Sequence, residues 1–373
     1  MTLASVILDG KVVDVQIERG IIIGVTPHNE SPLADGDIDG RGLSVYPGLH
    51  NMHTHSPMVL FRGLGDDQPL DRWLNQYIWP AERELTDERV YEGSLQACRE
   101  MASTGTTYFN DMYFRLPAMA RAVEESGLRG RLGLNIFGDA LELDESEVKR
   151  MLCSSTSRVS YSIAPHSVYT VSTEGLLRCA RACREWGLPM HIHMSETEKE
   201  VTDCIAKYGC RPWELLERIG VLDMVGGTHI IAAHCLHLSP HEIDIIGSRG
   251  ITCVHCPNSN LKLGSGYRFP LTELLSAGAT VRLGTDGSAS SNNLDMIEVM
   301  KVSALLQKGW RGDPTAAPAS LMMTLATGGH TIAAGEAADL FLVDADSHSN
   351  LVYATHGESV QLTMVDGRVV WQR

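Results

Sequence analysis

At 373 residues the chain is too long for one small core and suits a barrel of about 250 residues with a modest second domain. Lys and Arg number 31 against 46 Asp and Glu, a formal charge of −15, and no basic cluster interrupts that balance, which argues against nucleic acid and anionic membranes as partners. A hydrophobic content of 43% is that of an ordinary globular protein rather than a disordered one.

Residues 2–46 read as short β-segments with turns at Asp9-Gly10, Arg19-Gly20 and Asp39-Gly40. The first residues carry no basic region before their short apolar stretch, so no export signal is expected. No run reaches the ~18 apolar residues of a membrane span. A cytoplasmic location follows as the expectation. It fits the nine cysteines, an odd number, which read as reduced side chains that fill space.

Eight apolar, strand-like segments then follow at 44–49, 106–110, 131–137, 159–164, 190–194, 229–233, 251–255 and 280–284. Amphipathic helical stretches lie between them, among them 90–103, 116–126, 174–186, 240–248 and 270–277, several closed by a glycine such as Gly127, Gly187 or Gly278. Alternating strand–helix units in this number predict an α/β fold, a closed (β/α)8 TIM-like barrel. The tail returns to strands at 339–343, 361–365 and 368–371, with a hairpin turn at Asp366-Gly367. Isolated hairpins are marginal, so the two ends are expected to pair into one small β-sandwich domain, 1–47 with 331–373, beside a catalytic barrel at 48–330.

In such a barrel the chemistry gathers at the carboxyl ends of the strands. The residues there are His53 and His55, Asp111, His166, Glu196, His234, Asn258 and Asp286. In His53-Thr54-His55 the two imidazoles share one face of a strand, as two ligands of one metal must. Met190-His191-Ile192-His193 repeats the pattern, with His193 nearer the strand end and His191 packing lower. Glu196, three residues on, suits a general acid/base beside a ring nitrogen. His234 suits a hydrogen bond to the attacking water rather than ligation. Asp286 suits both ligation and proton transfer. Each alone has an ordinary reading: a cap, a core histidine, an Asp-Gly turn. Three imidazoles and a carboxylate suit one divalent ion per subunit, Zn²⁺ first and Fe²⁺ or Mn²⁺ as alternatives. The fourth strand, 159–164, has no Lys to bridge a second ion.

Pro47-Gly48-Leu49-x-Asn51-x-His53-Thr54-His55, His193-x-x-Glu196, Ala233-His234-Cys235 and Gly284-Thr285-Asp286-Gly287 resemble the amidohydrolase superfamily. Phe61-Arg62-Gly63-Leu64, Trp79-Pro80-Ala81-Glu82, Pro165-His166-Ser167 and Ser259-Asn260-Leu261-Lys262-Leu263-Gly264 resemble its 5-methylthioadenosine/S-adenosylhomocysteine deaminases, a subgroup related to the triazine hydrolases. The resemblance runs from about 44 to 310. It implies His53, His55, His193 and Asp286 as ligands of a single metal, and Glu82, His166 and Glu196 as nucleoside contacts. It also implies hydrolytic deamination of adenosine, 5′-deoxyadenosine, 5′-methylthioadenosine or S-adenosylhomocysteine. Another heteroaromatic substrate (guanine, a pterin, cytosine, a triazine) is the alternative within the class; a non-catalytic binding barrel is the alternative outside it. A small-molecule nucleoside is the expected partner, and a homo-oligomer is compatible with the sequence without being fixed by it.

Two departures stand out. The stretch 132–139 lacks the arginine with which the resembled family meets a homocysteine carboxylate, Arg129 and Arg131 falling just before it. The passage from barrel to tail, 325–338, is also shorter than the family's usual one, as is 343–353.

Overall fold

The computed structural model describes residues 1–30, 32–138 and 145–373. The chain opens with β1 (Thr2–Leu8), β2 (Lys11–Glu18), β3 (Ile21–Pro27), β4 (Ile38–Asp39) and β5 (Ser44–Pro47). The barrel strands are β6 (Leu49–Thr54), β7 (Thr106–Tyr113), β8 (Arg129–Ile136), β9 (Val159–Pro165), β10 (Met190–Met194), β11 (Ile230–His234), β12 (Thr252–His255) and β13 (Thr280–Leu283). The tail contributes β14 (Leu340–Val343), β15 (Val360–Val365) and β16 (Arg368–Gln372).

β6 to β13 lie side by side in chain order, each parallel to the next. The helices Leu116–Ser126 and Pro240–Ser248 fall where amphipathic periodicity and flanking Gly or Ser place them. Burial on both faces explains why β10 and β11, every residue of which is buried, read as continuous apolar runs. β13 meets β6 backbone to backbone: the amide of Asp286 donates to the carbonyl of His53 at 2.9 Å. A Cβ on Gly284 would lie 2.9 Å from both the nitrogen and the oxygen of His53, so the ring closes there only without a side chain. Asn51 seals the same seam, accepting from the Thr285 amide at 3.0 Å and donating to its hydroxyl at 2.7 Å.

Both termini build one second sheet, ordered β16-β15-β14-β5-β1-β2-β3, with β4 beside β1. Alternation along its central strands divides two cores. Val45, Leu340, Leu342, Leu362 and Met364 join Leu3, Val6, Val15 and Ile22 in a cluster of their own. Tyr46, Phe341, Val343, Val360 and Val365 face the barrel's core instead.

The apolar run 44–49 is not the first barrel strand. It divides at Pro47-Gly48: β5 pairs antiparallel with β14, and the barrel begins at Leu49. The reason is a close approach. A Cβ on Gly48 would lie 2.0 Å from the Thr107 hydroxyl, so only glycine lets the chain cross from one sheet to the other there. Among the described residues no helix is long and apolar enough to cross a membrane.

Candidate active site

His53 lies in β6 and His55 just beyond it. Their Nε2 atoms stand 3.4 and 3.2 Å from Asp286 Oδ1, and His193 Nε2 stands 3.4 Å from His55 Nε2. An ion held tetrahedrally at about 2.1 Å spaces its ligand atoms by about 3.4 Å. His53 Nε2 is buried without a hydrogen-bond partner, a costly state for a polar atom unless something binds it. The second ring nitrogens fix the protons. His55 Nδ1 donates to the Met112 carbonyl at 2.5 Å and His193 Nδ1 to the His166 carbonyl at 2.7 Å. A carbonyl only accepts, so both Nε2 atoms keep free lone pairs. His53 Nδ1 pairs at 2.9 Å with Nε2 of His191, which packs lower in the barrel. Two lone-pair nitrogens, the unpartnered Nε2 of His53 and a carboxylate are a donor set that fits a divalent cation.

Asp286 follows β13 with φ at 61°. Its Oδ2 accepts from the hydroxyls of Ser259 at 2.5 Å and Ser290 at 3.0 Å, and its Oδ1 from the Gly287 amide at 2.8 Å. Burial works against its charge, but His53 and His55 outweigh that and hold its carboxyl well below the usual range. Burial lowers His53 to about 4 and takes His193 well down, leaving them neutral as ligands must be. Burial lowers His55 too, yet Asp286 and the Met112 carbonyl prevail and raise it to about 9, so a cation bound here takes the place of the proton on its Nε2.

His234 ends β11. With the Asn260 amide as oriented, its Nδ2 donates to His234 Nδ1 at 2.9 Å, so the proton of this ring sits on Nε2. That atom lies 3.7 Å from Glu196 Oε2. Glu196 accepts from the Ser265 hydroxyl at 3.3 Å; burial, with the charge of Asp286 behind it, pushes its carboxyl up to about 8. His166 bonds through Nδ1 to the Thr170 hydroxyl at 2.9 Å, stacks on Phe137 with centroids 4.5 Å apart, and is driven down to about 3 by burial. Glu82, on the short helix Trp79–Arg83, is raised by burial. His55, Glu82, His166, His193, Glu196, His234 and Asp286 line one open cavity, walled by Trp73, Trp79, Tyr113, Phe137 and Tyr169.

Two strand-end residues stay outside it. Asp111 accepts the Ser56 amide and so holds the loop behind His55, while Asn258 donates to Glu298 at 2.7 Å. Ser259, Asn260 and Ser290 received no role from the sequence, the first two entering only within a motif of resemblance, because a hydroxyl or amide in a polar loop carries no spacing signal. Neither nearby arginine reaches the cavity. Arg129 is committed to Asp339 at 2.6 Å and to Asp366. Arg131 begins about 13 Å below Asn135 along the strand, at about 3.3 Å per residue, and of the residues of β8 Asn135 alone lines the cavity. Of the stretch 132–139, Asp139 lies outside the described residues.

Residues 44–370 match the Amidohydrolase family. The chain is 45% identical over 359 residues to a 5′-deoxyadenosine deaminase of Methanoregula boonei, covering 89% of this chain and 80% of that protein. It is 41% identical over 366 residues to a 5-methylthioadenosine/S-adenosylhomocysteine deaminase of Moorella thermoacetica, covering 91% and 84%. The crystal structure of an adenosine deaminase from Xanthomonas campestris with bound zinc superposes with a TM-score of 0.87 at 33% identity, over 96% of this chain and 88% of that one. With its parallel barrel, its family match and relatives this similar over most of their length, the chain belongs to the amidohydrolase family.

Proposed function

We propose that the protein is a metal-dependent hydrolytic deaminase of adenine nucleosides, converting the 6-amino group to a carbonyl and releasing ammonia. In this reading residues 48–330 are the catalytic barrel and 1–47 with 331–373 its structural companion. His53, His55, His193 and Asp286 hold one divalent ion, Zn²⁺ by its donor set. The observation that carries the reading is Glu196: a carboxyl kept protonated by burial, beside four ligand atoms spaced for one ion and inside an aromatic cavity.

When bound, the metal supplies the Lewis acidity that makes water a nucleophile near neutral pH. The protein's own groups move the protons. Nε2 of His234 donates to the attacking oxygen and orients it toward C6. Asp286 takes one proton from the water while Glu196 gives its own to N1. On collapse, the proton on Asp286 leaves with ammonia and the C6 hydroxyl returns one to Glu196, restoring both. Glu82 and His166, in the same cavity, meet the ribose hydroxyls, contacts that a bare base would not need. The relatives named for 5′-deoxyadenosine and 5-methylthioadenosine support a nucleoside over a triazine or guanine.

The test is ammonia release from a panel of adenosine, 5′-deoxyadenosine, 5′-methylthioadenosine, S-adenosylhomocysteine, guanine and cytosine, run beside Glu196→Gln. The reading expects turnover of the nucleosides and a loss in the variant on the order of 10²–10⁴-fold with metal retained. Near-normal turnover by a metal-replete Glu196→Gln would refute the assignment.

A further inference from the structure

We propose that Glu200 is a positioning residue of this site: its buried carboxyl group fixes the peptide that carries Glu196 and, through the Ser195 carbonyl, the turn behind His234. The inference rests on the reading of Glu196 as the proton donor.

Glu200 stands on the first turn of the helix Glu198–Tyr208, three residues after its N-cap Thr197, whose hydroxyl accepts the Glu200 amide at 3.1 Å. In an ordinary capping box the acid at that position reaches back to the amide of the N-cap residue itself. Glu200 overshoots it. Its Oε1 accepts the Ser195 amide at 2.7 Å and its Oε2 the Glu196 amide at 2.8 Å, and only 4% of the residue is exposed. The cap has been spent on the end of β10 instead of on the helix.

The backbone it holds is one that L-residues avoid. Ser195 has φ of 52°, and His234 and Cys235 have 73° and 51°. Such conformations persist only where the surroundings over-determine them. No ladder pairing extends past Met194 and His234. The Ser195 carbonyl accepts from Leu236 at 3.1 Å and His237 at 3.0 Å, so the two left-handed turns are stitched to each other and then to Glu200. Two successive amides need two oxygens on one carbon. Glutamine offers one oxygen and turns its own donor toward the other amide; alanine offers neither. The imidazoles have separate supports in the Met112 and His166 carbonyls and in His191, so the metal site stands without Glu200.

The experiment is a double-mutant cycle on the zinc-loaded protein with 5′-deoxyadenosine: wild type, Glu196→Gln, Glu200→Ala and both together, with Glu200→Gln as the near-isosteric variant. Glu200→Ala should lower kcat on the order of 10²-fold, Glu200→Gln less, with zinc stoichiometry kept and KM changed less than about threefold. In the Glu196→Gln background the alanine should cost clearly less than it does alone, the remainder being the share that reaches the His234 turn. Full kcat per zinc-loaded Glu200→Ala molecule, or strict additivity with Glu196→Gln, would overturn the proposal. If Glu196→Gln itself stays active, the reading of Glu196 has failed instead. Independently of any substrate, a crystal structure of Glu200→Ala should show Ser195 out of its left-handed conformation and the Glu196 carboxyl displaced, with the three imidazoles in place; an unmoved Glu196 would overturn the proposal as well.

Discussion

His234 differs from His55 and His193 beside it in the position of one proton. Backbone carbonyls at Nδ1 give His55 and His193 a free Nε2, whereas Asn260 gives His234 an Nε2–H. Asn260→Asp would accept at Nδ1 and invert that tautomer. We expect kcat to fall about 10²–10⁴-fold, as when a catalytic imidazole is held in its wrong form, with the metal still bound; unchanged kcat would show that His234 does not act as a donor. Glu196 sets the pH dependence. Because it works as the protonated acid and burial raises its pKa to about 8, the competent form exists below that value and is lost above it. A pH profile of kcat/KM should therefore fall on the alkaline side, and a bound cation draws the midpoint lower without changing the direction. At this scale His53, His55, His193, Glu196, His234 and Asp286 were legible as candidates, since period-two spacing and strand-end placement announce them, whereas Glu82 came only from the family resemblance. The roles of Asn260, Ser259 and Glu200 were not legible, because the partners of the first two are 26 and 27 residues away and Glu200 reads as an ordinary cap, while Ser290, four residues from Asp286, is a loop hydroxyl like any other.

Among the elements, the seam between β13 and β6 brings Asp286 to the histidines. Gly284→Ala would drive a Cβ into the backbone of His53, 2.9 Å from two of its atoms, with no flexible side chain there to yield. We expect a loss of about 1–3 kcal/mol or more and weaker zinc retention, read by thermal unfolding with and without chelator; an unperturbed Tm and zinc affinity would contradict this closure. Helix limits and strand order followed from periodicity and glycine stops. The division of 44–49 did not, because Val45, Tyr46 and Leu49 are all buried and an apolar run bordered on both sides by cores shows no break. Only the spatial neighbour Thr107 decides it, and no local pattern contains that neighbour.

For the molecule as a whole, both termini return to one sheet, and Arg129 at the base of β8 anchors the tail through Asp339 and Asp366. That commitment bears on substrate choice. An arginine spent there cannot hold a homocysteine carboxylate at the opposite end of the strand, and an unpaired carboxylate approaching an acidic protein gains nothing from steering. We expect kcat/KM for adenosine, 5′-deoxyadenosine or 5′-methylthioadenosine to exceed that for S-adenosylhomocysteine by about tenfold or more, the loss of one charge-assisted hydrogen bond. The opposite order would point to Arg268, which lines the outer vestibule beside Tyr267.

The central claim is that four residues from three strand ends hold one metal and that this metal serves deamination. The most direct measurement titrates Zn²⁺ into chelator-stripped protein while following ammonia release from 5′-deoxyadenosine. Activity should rise linearly and saturate at one ion per chain, and His193→Ala should abolish both the binding and the activity. Full turnover in metal-stripped protein, or saturation with zinc and no ammonia from any nucleoside of the panel, would contradict it.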